Sequence, residues 1–125
     1  MSNATPSSLP ERDHSLYVRD MVGFCDAVLA YTTGHDLAGL LMERMRYDAT
    51  LRNLELIGEA ATHVPEEVRS MAPDIAWRQV VGTRNRLAHA YLGIEPETVW
   101  MIIEASVPRL RVQLLQLLDR LSSRA

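Results

Sequence analysis

The sequence predicts an all-α chain, an up-and-down bundle of four main helices with short accessory helices. Three observations carry that expectation. Apolar residues recur at three- and four-residue steps through every long segment, which is the period of a single helix face. No stretch shows the two-residue alternation of a half-buried strand. A proline followed by acids, a helix-start signal, opens two of the expected helices, at Pro65-Glu66-Glu67 and at Pro96-Glu97.

The first helix is expected from about Asp13 to Tyr31, where Val18, Met21, Val22, Cys25, Val28 and Leu29 form one stripe. Thr32-Thr33-Gly34-His35-Asp36 interrupts it, and the Asp36 carboxylate suits the N-cap of the next helix. That second helix is expected to run to about His63, with Leu37, Leu40, Leu41, Met45, Leu51, Leu54, Ile57 and Ala61 inward. Gly58 within it marks a close approach of another helix rather than a break. Pro65 opens a short helix that stops before Pro73. A further piece should cover Asp74 to Val81, followed by a helix from Gly82 to about Tyr91, with Gly93 as its C′ residue. In the last helix Val99, Ile103, Val107, Leu110, Leu114, Leu117 and Leu121 make a regular seam. Pro108 interrupts its hydrogen-bond ladder, so a kink is expected there.

A chain of 125 residues can bury a real core as one domain, expected over residues 12–125 behind a flexible tail at 1–11. Its single cysteine, Cys25, has no partner for an internal disulfide and fits a reducing cytoplasm. No apolar run reaches the length of a membrane span. The opening residues lack the basic region and apolar core of a signal peptide, so a cytoplasmic location is expected. The net charge of −3 argues against coating nucleic acid by bulk electrostatics. All 13 basic residues are arginine, and any RNA contact would use a local cluster such as Arg78, Arg84 and Arg86.

Chemistry concentrates in Arg84-Asn85-Arg86-Leu87-Ala88-His89-Ala90-Tyr91. Arginine is a permanent planar cation that clamps a phosphate through paired N–H groups. Histidine as a residue type exchanges protons near neutrality, and tyrosine adds a hydroxyl that can bond a phosphate or be modified. On an ideal helix residues five apart sit ~140° from each other, so Arg84 and His89 do not share a stripe. Asn85 and Arg86, four and three residues before His89, do share its side, and both are expected to support the site. Arg84 must arrive through its long side chain, through distortion at the helix end or across a subunit boundary. Metal-free cleavage of RNA needs a base, an acid and a cation on the phosphate. One chain places one histidine here, and a two-fold homodimer would supply the second. Glu55, Glu59 and His63 lie four apart but lack the Glu-x-x-His step of bundle metal sites, so no metal and no cofactor is expected.

With these residues the chain resembles the HEPN-domain family and, within it, the HepT-like toxins of HepT–MntA toxin–antitoxin pairs. The likeness runs from about Leu16 to Leu121 and rests on the stretch from Arg84 to Tyr91, with Trp77-Arg78-Gln79-Val80-Val81-Gly82 before it. Leu92-Gly93-Ile94 and Val99-Trp100 after it, and Leu54-Glu55-Leu56-Ile57-Gly58-Glu59-Ala60 upstream, extend the likeness. The resemblance implies a homodimeric, metal-independent ribonuclease with Arg84 and His89 catalytic at the dimer cleft. It places the family's polar residue on Asn85. It further implies that a cognate MNT-type nucleotidyltransferase antitoxin AMPylates Tyr91 and silences the toxin. The alternative is a non-catalytic HEPN interaction module that binds the nucleotidyltransferase and keeps the motif only as a contact or modification site.

Overall fold

The computed structural model describes residues 14–89 and 94–124. Among them the elements are α1 (Leu16–Thr32), α2 (Leu37–Leu41), α3 (Arg44–Thr62), α4 (Glu66–Arg69), α5 (Trp77–Ala88), α6 (Pro96–Met101) and α7 (Val107–Arg124), with a π-helical turn, Ile102–Ser106, joining the last two. No strand occurs among the described residues. The four main helices are α1, α3, α5 and the continuous rod from α6 to α7, while α2 and α4 are accessory. The expected tail at 1–11, the start at Asp13, and the motif positions Tyr91 and Gly93 lie outside the described residues.

Helix α1 lies in the middle of the bundle, packed on α3 along one side and on α7 along the other. Its stripe of Val18, Met21, Cys25 and Val28 is fully buried, with Val22 and Leu29 packed beside it. The α7 seam meets this stripe through Leu110, Leu114 and Leu117, and burying each such leucine contributes about 1.5–3 kcal/mol. Helix α3 starts where α1 ends, because Arg46 Nη1 donates to the Tyr31 carbonyl at 3.1 Å, so the two run antiparallel. Helix α5 packs chiefly on α3 and forms the edge of the bundle. Its flank towards the α6–α7 rod is open, leaving a cleft of about 580 Å³. The motif helix therefore keeps a face that the bundle leaves uncovered. No helix among the described residues is long and apolar enough to cross a membrane.

Two expectations need correction, and a third takes a particular form. The helix expected to run from Asp36 to His63 is two helices. Asp36 does cap the first, accepting from the Gly39 N–H at 2.8 Å, but Glu43 leaves helical backbone with φ −111° and ψ 84°. Its carboxylate accepts Arg46 Nε at 2.8 Å and His35 Nε2 at 3.0 Å, and Arg46 also caps α1. These hydrogen bonds, from Arg46 first and His35 second, hold Glu43 below the usual carboxylate range. Met45 lies nine residues before Leu54 on the same helix, about 180° around it, and is 87% exposed, and Leu41 before the break is 42% exposed, against the inward positions expected for both.

The pieces expected at Asp74–Val81 and Gly82–Tyr91 form one helix, which starts only at Trp77 and has His89 as its C-cap residue. Trp77 is buried and its indole N–H donates to the Ala72 carbonyl at 3.1 Å, while Arg69 sits over its ring. That anchor holds residues 72–76 in a turn and delays the helix start. Gly82 costs a helix interior about 1 kcal/mol, too little to divide it.

At Pro108 the irregularity takes the form of a π turn. The Val107 N–H bonds to the Ile102 carbonyl, five residues back, just ahead of the proline. An α-helical turn would drive the proline ring into the carbonyl four residues back, and widening the turn relieves that clash. The seam registers the extra residue. Val99 to Ile103 to Val107 spans two four-residue steps, where two α-helical turns would span ~7.2 residues.

Candidate active site

The site begins with a missing side chain. Helix α5 crosses α3 at Gly58, where an added Cβ would fall 2.1 Å from Arg84 Cβ and 2.9 Å from the Val80 carbonyl oxygen. Gly58 is thus a contact point, as its place in the sequence suggested, and the residue seated on it is Arg84. Only the absence of a Cβ lets the arginine stem lie flat on α3.

From that seat the Arg84 guanidinium reaches in two directions. Nη2 donates to Glu59 Oε1 at 2.6 Å, and Nη1 donates to Asn85 Oδ1 at 2.9 Å. Its Nε is shielded from solvent and bonds nothing among the described residues. The side chain is 34% exposed, so the charge is partly withdrawn from water. The hydrogen bond from Arg84 and its positive charge hold Glu59 below the usual carboxylate range. Behind Glu59 stands His63, with Nε2 3.5 Å from the carboxylate, and the His63 ring stacks on Tyr17 of α1 at 5.0 Å.

His89 is the residue on which α5 ends, with backbone angles φ −109° and ψ 55°. Its Nδ1 lies 2.9 Å from the Asn85 carbonyl oxygen, one of the last-turn acceptors that the helix itself leaves unsatisfied. A carbonyl can only accept, so the proton of the neutral imidazole sits on Nδ1 and the lone pair on Nε2. Asn85 consequently serves both partners. Its side-chain oxygen holds Arg84 and its main-chain oxygen holds His89, closing the ~140° gap that separates them on the helix wheel.

Arg86 makes none of the contacts described above. It is exposed on the far flank of α5 and lines the cleft towards the α6–α7 rod together with Arg109. On the near flank, Asn85, Arg78 and Gly82 border a second groove of about 860 Å³ that runs to Glu66 and Pro73. Of the three residues suggestive of a metal row, Glu59 and His63 are tied to Arg84 as described, and Glu55 pairs with Arg52 at 3.3 Å. Trp77 is a core residue and Trp100 packs against the core. Tyr91 lies outside the described residues.

Glu59 is the member of the site that the motif did not indicate. A trace of it was present, since it directly follows the close-approach glycine, but the sequence does not say which helix crosses there.

A family model described as ribonuclease HepT-like matches residues 21–117, which include every residue of this cluster except Tyr17. The chain is 30% identical over 103 residues to a candidate RNase of Methanocaldococcus jannaschii, covering 82% of this chain and 94% of that one. It is 28% identical over 101 residues to a probable ribonuclease HepT of Thermococcus cleftensis, covering 81% and 92%. A candidate RNase of Caldanaerobacter subterraneus is 26% identical over 104 residues, covering 83% and 93%. No solved structure matches the chain.

Proposed function

Because the chain belongs to the HepT-like ribonuclease family, its activity is that of a ribonuclease, and we propose that it cuts RNA without a metal at a site shared by two copies. The observation that carries this reading is the joint at Asn85, which gathers a phosphate-binding cation and an oriented imidazole on one exposed face. His89 Nε2 takes the proton of a ribose 2′-hydroxyl, whose oxygen forms a bond to the adjacent phosphorus. The bond from phosphorus to the 5′-oxygen breaks, and that oxygen takes a proton from the imidazolium of the second copy. Arg84 balances the charge that builds on the phosphate oxygens. The products are a 2′,3′-cyclic phosphate and a 5′-hydroxyl.

Two features support the two-copy arrangement. Among the described residues, and leaving aside its own helix, a Cβ built on Gly82 would meet nothing within 4 Å, although glycine weakens a helix interior. Gly82 neighbours Asn85 on the open face of α5, where a second α5 could come close. The chain also exposes the large apolar side chains Met42, Met45, Met101, Val112 and Leu115, which a second copy could cover.

The test is cleavage of a defined RNA by purified wild type, Arg84→Ala and His89→Ala, each with and without excess EDTA. Wild type should cut in both conditions and leave the cyclic phosphate, and each variant should lose at least about 100-fold in rate. Activity that disappears with EDTA and returns with metal would overturn the metal-free mechanism.

The toxin–antitoxin role completes the proposal. A partner nucleotidyltransferase would transfer AMP from ATP to the Tyr91 oxygen, with pyrophosphate leaving. The added anion would sit two residues beyond His89 and compete for the arginines that bind phosphate. Intact-mass measurement after incubation with the neighbouring gene's product and ATP should show added AMP that Tyr91→Phe no longer accepts. Equal labelling of Tyr91→Phe would move the modification elsewhere.

A further inference from the structure

We infer that Glu59 is a positioning residue for Arg84, acting with Gly58 as a cradle built into α3. The inference rests on the ribonuclease reading and extends it to a helix that carries no part of the Arg84-to-Tyr91 motif. Three independent features converge on it. The Gly58 backbone receives the arginine stem at a distance no other residue type would allow. The Glu59 carboxylate takes Nη2 at 2.6 Å, at the next position along the same helix. His63, one turn on, stands 3.5 Å from the carboxylate and is itself stacked on Tyr17. A line of contacts therefore runs from α1 through α3 to the motif helix: Tyr17, His63, Glu59, Arg84, Asn85, His89.

The need for such a cradle follows from helix geometry. Arg84 leaves α5 on the side facing α3, about 100° around the helix from Asn85. An unrestrained arginine there would sample many rotamers, and most would carry its charge away from the imidazole. Held at Nη2 by Glu59 and at Nη1 by Asn85, the guanidinium keeps one N–H on each terminal nitrogen for an incoming phosphate. Glu59 therefore contributes orientation, although its own charge opposes a phosphate. Its loss should fall mainly on kcat rather than on RNA binding.

The experiment compares wild type with Glu59→Gln and Glu59→Ala, alone and combined with Arg84→Ala, with thermal unfolding of each variant as a check on folding. Glu59→Ala should lower kcat by at least about tenfold with KM changed less than about threefold. Glu59→Gln is isosteric and keeps an acceptor without the charge, so it should fall between the two. Because Glu59 acts through Arg84, adding Glu59→Ala to Arg84→Ala should cost nothing more. Unchanged or increased kcat in Glu59→Ala, or an equal loss in the Arg84→Ala background, would overturn the assignment.

A second readout does not depend on activity. Nitrogen NMR of the Arg84 guanidinium should show restricted rotation in wild type and averaged signals in Glu59→Ala, with Arg84→Lys identifying the resonances. Averaged signals in wild type would overturn the cradle. A wild-type protein that leaves RNA intact would instead remove the ribonuclease reading, and the NMR comparison would still decide the role of Glu59.

Discussion

Asn85 shows how one residue can solve a geometric problem posed by its neighbours. Arg84 and His89 diverge on the helix, and a single asparagine joins them by using its side chain for one and its backbone for the other. The imidazole could not find the same partner earlier in the helix, because only the last turn leaves carbonyls without intrahelical donors. Gly58 is the second decisive residue. Replacing it with alanine would force a Cβ into Arg84 and the Val80 carbonyl, so α3 and α5 must separate. We expect Gly58→Ala to cost about 1–3 kcal/mol in urea unfolding and to depress RNA cleavage as Arg84 shifts. Stability equal to wild type would show that the crossing has slack. Cys25, by contrast, is a core residue. Burial pushes its thiol up to about 12, and it fills space in the α1 stripe.

At the level of elements, the two departures from regular helix are held by different means. The π turn before Pro108 is a local response to a missing donor and a bulky ring. The α2–α3 break depends on side chains brought together from three segments: His35, Glu43 and Arg46, with the Tyr31 carbonyl. That dependence gives the break a pH signature. The Glu43 pKa is lowered in the folded state, so its contribution to stability is fully present above the ordinary glutamate value. The contribution is lost as pH falls through the lowered value. Glu43→Gln should therefore be less stable than wild type at neutral pH, and the gap should close in acid. Urea unfolding of both proteins at pH 7 and below pH 4 measures it, and a gap independent of pH would assign the effect to packing.

For the whole molecule, the position of α5 at the bundle edge matters most. An internal motif helix would bury Asn85 and His89, whereas here both are exposed near Gly82, where an added Cβ would meet nothing within 4 Å beyond its own helix among the described residues. A second copy is the occupant the proposed chemistry requires. Light scattering should give twice the chain mass for wild type. Gly82→Trp should give the single mass with an unchanged helical spectrum and should no longer cut RNA. A wild-type monomer that cleaves RNA would dispose of the composite site.

Periodicity determined that the chain is helical and where its main apolar stripes lie, and proline chemistry that Pro108 would disturb the last helix, because these follow from interactions between residues close in sequence. The motif likewise named Arg84, Asn85 and His89 as candidates, since their chemistry is carried by residue type. Gly58 could be recognised as a contact point, but its partner could not. The break at Glu43 and the entry of Glu59 into the site were decided only by tertiary structure. Each depends on which side chains from distant segments meet, and the pattern of one helix does not specify the face its neighbour presents.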